Sequence, residues 1–172
     1  MPPDLEIVAG GKKGRPRPRF SPTSGRYRMR ELRWTVVREP GTGTLSSNIS
    51  DPEAAFALVR TLIPDDDREH FLVVELNAQN YYVGHFEVSI GTQSSCLVAP
   101  REVFGPAIRD GAAALVLAHN HPSGDPTPSR EDLALTRQLV GGSKILDMRI
   151  HDHVIVGMGS GQNVSLAQRG AI

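Results

Sequence analysis

Apolar positions along this chain recur with two periods, and the alternation between them predicts the elements. Leu32, Trp34 and Val36 alternate with charged or polar neighbours as far as Arg38, the period of two expected of a strand. A turn-rich stretch runs over 40–48. Ser50 with Glu53 then matches a capping box, Pro52 falls in a first turn, and Ala55, Phe56, Val59, Leu62 and Ile63 recur at helical spacing. Beyond an acidic turn at 65–67, the β-rich runs 71–76 and 81–90 flank Asn77-Ala78-Gln79-Asn80, which suits a hairpin, and a short strand is expected at 96–98. Val103, Phe104, Ala107 and Ile108 mark a second helix, which Gly105-Pro106 should kink or restart. The apolar run 114–118 is too short for a helix and reads as a fully buried strand ending in His119-Asn120-His121-Pro122. A third helix is expected from Ser129 to about residue 140, stopped by Gly141-Gly142, followed by strands at 145–150 and 153–156. The order β-α-β-β-α-β-α-β-β, with no internal repeat, predicts an α/β (α+β) sandwich in which helices flank a mixed sheet.

Length and charge divide the chain unequally. Its 172 residues allow one full domain and a short appendage, and 39% hydrophobic with 22% charged residues is ordinary globular composition. The net charge of zero hides eight Lys/Arg against Asp4 and Glu6 in the first thirty residues, which also hold five prolines and four glycines. Such a segment cannot bury enough apolar surface to offset the entropy of ordering. Residues 1–30 therefore read as a flexible basic arm and 31–172 as the domain. The run Lys12, Lys13, Arg15, Arg17 and Arg19 could make weak, salt-sensitive contact with nucleic acid phosphates, but a solubilising role fits better because no aromatic side chain is interleaved in it. The longest apolar run has seven residues, far short of the ~20 of a spanning helix, and no apolar signal core opens the chain, so the expected location is cytoplasmic and away from membranes. The single cysteine, Cys96, excludes an internal disulfide and a multi-cysteine zinc module, which leaves His, Asp and Glu as metal ligands. Cys96 also lacks a basic neighbour that would activate it.

The residues that carry chemistry follow from the same pattern. His119 and His121 stand two apart at the end of a buried strand, so both rings leave one face of the sheet. On the third helix Asp132 shares a side with Leu135, Thr136 and Leu139 and so points inward, where a cation held with two histidines would remove the cost of burying its charge. Two histidines and one carboxylate leave coordination positions open, which favours a catalytic over a structural zinc. A second His-x-His, at His151-Asp152-His153, has no following proline turn and helix-borne acid; Asp152 and His153 are candidates for supporting the first group, with ordinary strand polarity as the alternative.

The segment His119-Asn120-His121-Pro122-Ser123-Gly124-Asp125-Pro126-Thr127-Pro128-Ser129-Arg130-Glu131-Asp132 resembles the JAMM (MPN) metalloprotease signature in the form it takes in RadC-like proteins. Glu69-His70-Phe71, Gly91-Thr92, Pro100-Arg101-Glu102-Val103-Phe104 and Asp152-His153-Val154-Ile155-Val156-Gly157 are similar to that branch as well, and the likeness spans roughly 51–170. The chain departs from it at Gly105-Pro106 and in lacking the helix-hairpin-helix region that usually precedes the domain. The resemblance implies zinc held by His119, His121 and Asp132, with Ser129 beside the ion, and cleavage of a peptide or isopeptide amide in a protein or peptide substrate. It also implies a glutamate base at the start of an early strand, which falls best on Glu69. Periodicity alone leaves Glu69, Glu75 and Glu87 open, since the first two share a strand face and the third stands on the neighbouring strand. In this reading Glu69 shuttles the proton while Ser129, also the cap of its helix, donates toward the developing oxyanion. The competing expectations are a DNA-associated repair accessory or binding module and a metal-retaining scaffold; scaffold members usually lose ligands, and all three are present here.

Overall fold

The computed structural model describes residues 48–64, 66–91 and 98–172. The basic arm, the strand expected at 32–38 and Cys96 lie outside the described residues; of the strand expected at 96–98 only Val98 is described, and it is not in a strand. The elements are α1 (Pro52–Leu62), β1 (His70–Leu76), β2 (Tyr82–Ile90), α2 (Pro100–Asp110), β3 (Ala114–His121), α3 (Arg130–Ile145), β4 (Arg149–Gly157) and β5 (Asn163–Ser165). The strands form one mixed sheet in the order β2-β1-β3-β4-β5, in which only β3 and β4 run parallel, and the connection between those two carries α3.

Strand alternation distributes the core over the two faces. Leu72, Val74, Val116, Ala118, Val154 and Val156 meet Ala55, Leu58 and Val59 of α1. Phe71, Val73, Leu115, Leu117 and Ile150 meet Val103, Phe104 and Ala107 of α2 and Leu139 of α3 on the opposite side. The result is the expected α+β sandwich, with both faces of the central strands covered; β1 and β3 accordingly read as continuous apolar runs rather than alternating ones.

Several boundaries differ from the sequence expectation, each for a local reason. The cap of α1 is Asp51, whose carboxylate accepts from the Ala54 amide at 2.8 Å, so the Ser50–Glu53 box is displaced by the stronger acceptor one residue on. α2 runs through Pro106 as one helix; the ring removes one hydrogen bond, while Val103, Phe104 and Ala107 are buried around it. α3 continues past Gly141-Gly142 to Ile145. Gly142 marks a close approach of helices rather than a stop, because a Cβ there would lie 2.9 Å from the Phe104 ring of α2. β3 extends through His121, so both histidines are strand residues.

The two short strands expected at 145–150 and 153–156 are one strand, β4, followed by an unforeseen β5. β4 contains a bulge: Ile150 pairs with Leu115 and Asp152 with Val116, leaving His151 without a partner across the pair. The extra residue reverses the alternation. Ile150 faces α2 and α3, Asp152 faces the other way, and His153, opposite Leu117, returns to the side on which His119 projects.

Candidate metal centre

His119 and His121 leave β3 on the face covered by α3, at the end of the strand where the parallel crossover begins. Phe71, paired with His119 across β1 and β3, stacks on its ring with centroids 6.0 Å apart and meets His153 edge-on at 5.4 Å. The loop after His121 is held against β4. Gly124, at φ +85°, accepts from the Ser160 hydroxyl at 2.6 Å, and its carbonyl lies so close to Gly157 that any side chain there would collide with it. This folding brings the Asp125 carbonyl to 2.7 Å from His121 Nδ1.

α3 delivers the carboxylate. Ser129 and Asp132 cap the helix reciprocally: Ser129 Oγ accepts from the Asp132 amide at 3.0 Å, and Asp132 Oδ2 accepts from both the Ser129 amide and its hydroxyl at 2.7 Å. With Oδ2 so occupied, Oδ1 lies 3.3 Å from His119 Nε2. The Nε2 atoms of the two histidines are 3.1 Å apart, and all three donor groups offer an atom within 4.8 Å of the others. No other group of three His, Cys, Asp or Glu side chains converges in this way among the described residues.

Hydrogen bonds fix where the ring protons sit. Thr136 Oγ1 donates its single proton to the Asp132 carbonyl at 2.6 Å, so toward His153 Nδ1, at 2.6 Å, it can only accept. His153 therefore carries its proton on Nδ1 and presents a bare Nε2, which accepts from His119 Nδ1 at 2.9 Å. With Nδ1 so engaged, His119 turns Nε2 toward Asp132, as a donor when the ring is charged and as a lone pair when it is neutral. A carbonyl cannot donate, so His121 Nδ1–H must be the donor to Asp125, and in the neutral ring His121 Nε2 is a lone pair too. Burial, reinforced by the nearby His119, holds His153 well below the ordinary imidazole range and so keeps it in the neutral form this chain requires. Burial would raise Asp132, but its hydrogen bonds with His119, His121 and Ser129 outweigh that and hold it well below the usual carboxylate range. Asp132, followed by the Asp125 carbonyl and the charge of Glu69, raises His121 against the opposing effect of burial.

The donor set fits a divalent cation. With both rings neutral, two imidazole lone pairs and a carboxylate oxygen face one another, and a cation among them replaces their mutual repulsion with attraction while using no donor already engaged. His119 is 1% exposed whereas His121 and Asp132 are at 17% and 14%, so the group opens to solvent on one side.

The other residues singled out in the sequence separate cleanly. Ser129 and His153 join the group; Asp152 does not, being turned to the other face, where it accepts from Ser165, from Ala167 and from the His153 amide. Carrying the β1–β3 register two residues past Phe71–His119 sets Glu69 opposite His121 on the same side of the sheet. Glu75 shares that face but lies at the far end of β1, opposite Leu115. Glu87 is on the other face, paired with Leu72 and bonded to His70. Thr136 and Asn120 are the contributors that sequence reasoning passed over. The signal for Thr136 was present, a hydroxyl one turn after Asp132 on the helix's apolar side; Asn120 was hidden between the two histidines.

A family profile described as RadC-like JAB domain matches residues 49–171. The chain belongs to this family. It is 49% identical over 127 residues to a UPF0758 protein of Rubrobacter xylanophilus, covering 74% of this chain and 54% of the relative. It is 46% identical over 121 residues to one of Desulforamulus reducens, with 70% and 52% covered, and 38% identical over 138 residues to one of Methanosarcina mazei, with 80% and 57% covered. The chain thus spans about half the length of these relatives, and their shared name assigns no activity. Among the described residues no helix is long and apolar enough to cross a membrane.

Proposed function

We propose that the domain is a zinc-dependent hydrolase of peptide or isopeptide amide bonds, acting on a peptide or protein substrate. The observation that carries this reading is the hydrogen bonding of the site: both histidines are engaged through Nδ1 and turn Nε2 inward, Asp132 is held ionised, and their remaining valences are committed to groups that orient them. His119, His121 and Asp132 would hold the ion. Three nitrogen and oxygen ligands with one side open match zinc sites that work on substrates rather than sites that only brace a fold. When bound, zinc supplies a Lewis acid that brings the pKa of water from 15.7 toward ~7 and polarises a carbonyl.

The chain's own residues supply the proton transfers. Glu69 stands across from His121, and its field already reaches that ring. As base it removes a proton from the attacking water and returns it to the departing amine. Ser129 keeps Asp132 aimed, and because its amide also holds Oδ2, its hydroxyl can turn to an oxyanion without releasing the ligand.

The test combines metal analysis with a panel of peptide and isopeptide amides. Glu69→Gln preserves size and hydrogen-bonding reach but not basicity, so zinc should stay bound while turnover falls by about 10²-fold or more. Parental turnover in that variant contradicts the assignment of the base. Absence of hydrolysis across the panel by zinc-loaded protein contradicts the enzymatic reading.

A further inference from the structure

We propose that Asn120, the residue between the two histidines, is a positioning residue for Glu69. The proposal rests on the reading of Glu69 as the base. Asn120 is fully buried, and alternation along β3 sends its side chain to the face opposite His119 and His121. Its Oδ1 accepts from the His70 amide at 2.7 Å, and its Nδ2 donates to the Arg68 carbonyl at 2.8 Å. Since a backbone N–H only donates and a carbonyl only accepts, the orientation of the amide is unambiguous. The two contacts grip the chain on either side of residue 69.

The β1–β3 register closes at Phe71–His119, and Asn120 takes over where that pairing stops. One side chain thereby extends the alignment by two residues, to the point where Glu69 faces His121. The carboxylate of Glu69 makes no hydrogen bond of its own among the described residues, so its place is set through its backbone. Other ties act nearby but none touches Glu69's side chain: Arg68 pairs with Asp66 at 2.8 Å, and the His70 ring lies between Asp66 and Glu87. The Glu69 carbonyl accepts from the Gly91 amide at 2.8 Å. Among the described residues, Asn120 is the side chain that links this segment to the strand that carries the histidines. The position needs an acceptor and a donor a peptide's width apart, which an Asn amide provides and a single hydroxyl does not.

Cobalt(II) provides a readout that needs no substrate. Parent, Asn120→Ser, Glu69→Gln and the double variant are each loaded with Co²⁺, and both the visible absorption band and the affinity against a competing chelator are recorded. All four should bind the ion, because no ligand is altered. Glu69→Gln should shift the band, as the charge beside the ion is lost. Asn120→Ser should shift it in the same sense, and the double variant should match Glu69→Gln alone, because both changes act through one carboxylate. A parental band in Asn120→Ser, or a full Glu69→Gln shift added to that of Asn120→Ser, overturns the positioning role and leaves the base reading intact. A parental band in Glu69→Gln overturns the base reading and this proposal with it. If Asn120→Ser does not fold, Asn120→Asp, which keeps the acceptor for His70 and loses the donor to Arg68, carries the same comparison.

Discussion

The two ends of β1 and β3 bury acidic groups under opposite conditions. At one end Asp132 meets the Nε2 atoms of two imidazoles and three hydrogen bonds involving Ser129, and it is held ionised. At the other, on the same face of the sheet, Glu75 is 6% exposed and its Oε1 has no hydrogen-bond partner among the described residues. Its Oε2 lies close enough to Gly84 that a Cβ there would come within 3.2 Å. Burial, with a smaller push from Asp110 and some relief from Arg109, raises the Glu75 pKa to about 7. Both carboxylates are largely withdrawn from water, but only one is surrounded by groups that an added cation would satisfy. Burial of an acid does not by itself make a site; convergence of lone pairs with their protons accounted for does.

The largest effect that sharpens this contrast concerns the proton chain behind His119. His153→Ala removes the acceptor for His119 Nδ1–H and frees the ring to present its proton to the ion. Zinc affinity, measured by chelator competition, should fall by about 10–100-fold. Unchanged affinity would show that the Thr136–His153–His119 chain does not prepare the ligand.

Glu75 should behave in the reverse sense. Its folded-state pKa lies above the unfolded value of 4.5, so the native state loses stability as pH rises from about 4.5 to about 7 and regains none above that. Glu75→Gln is neutral throughout, so it should be more stable than the parent above pH 7, by about 1–3 kcal/mol, while metal binding stays the same. Equal pH dependence in parent and variant by urea unfolding would locate the titration elsewhere.

A smaller effect belongs to His70. Burial opposes its protonation, but the hydrogen bonds its ring donates to Glu87 and Asp66 prevail and raise its pKa above 6.5. The stabilisation is therefore complete below about pH 6.5 and declines as pH rises through the raised value. His70→Gln should lose stability at pH 6 and lose progressively less at higher pH. A deficit that grows with pH would refute this sign. Because His70 and Glu75 both weaken the fold on the alkaline side, the two single variants are needed to separate them.

The contrast also explains what could be read from the sequence. β3 and the start of α3 were legible because the apolar run 114–118 and the capping Ser129 are local signals, and with them came the His119, His121 and Asp132 group. The course of β4 was not. The bulge at His151 breaks the period of two, so counting on from Ile150 would put Asp152 rather than His153 on the side of His119, the reverse of the observed arrangement. Gly142 misled in a similar way, since the Phe104 ring that explains it comes from another helix. The base could not be chosen by periodicity because Glu69 and Glu75 share a face; only the antiparallel register distinguishes the end of β1 beside His121 from the end beside Leu115.

If His119, His121 and Asp132 form a metal centre, elemental analysis of the purified protein should return one equivalent of zinc per chain, abolished in the His119→Ala/His121→Ala double variant, because a carboxylate alone cannot hold the ion tightly. Full metal content in a folded double variant would contradict it.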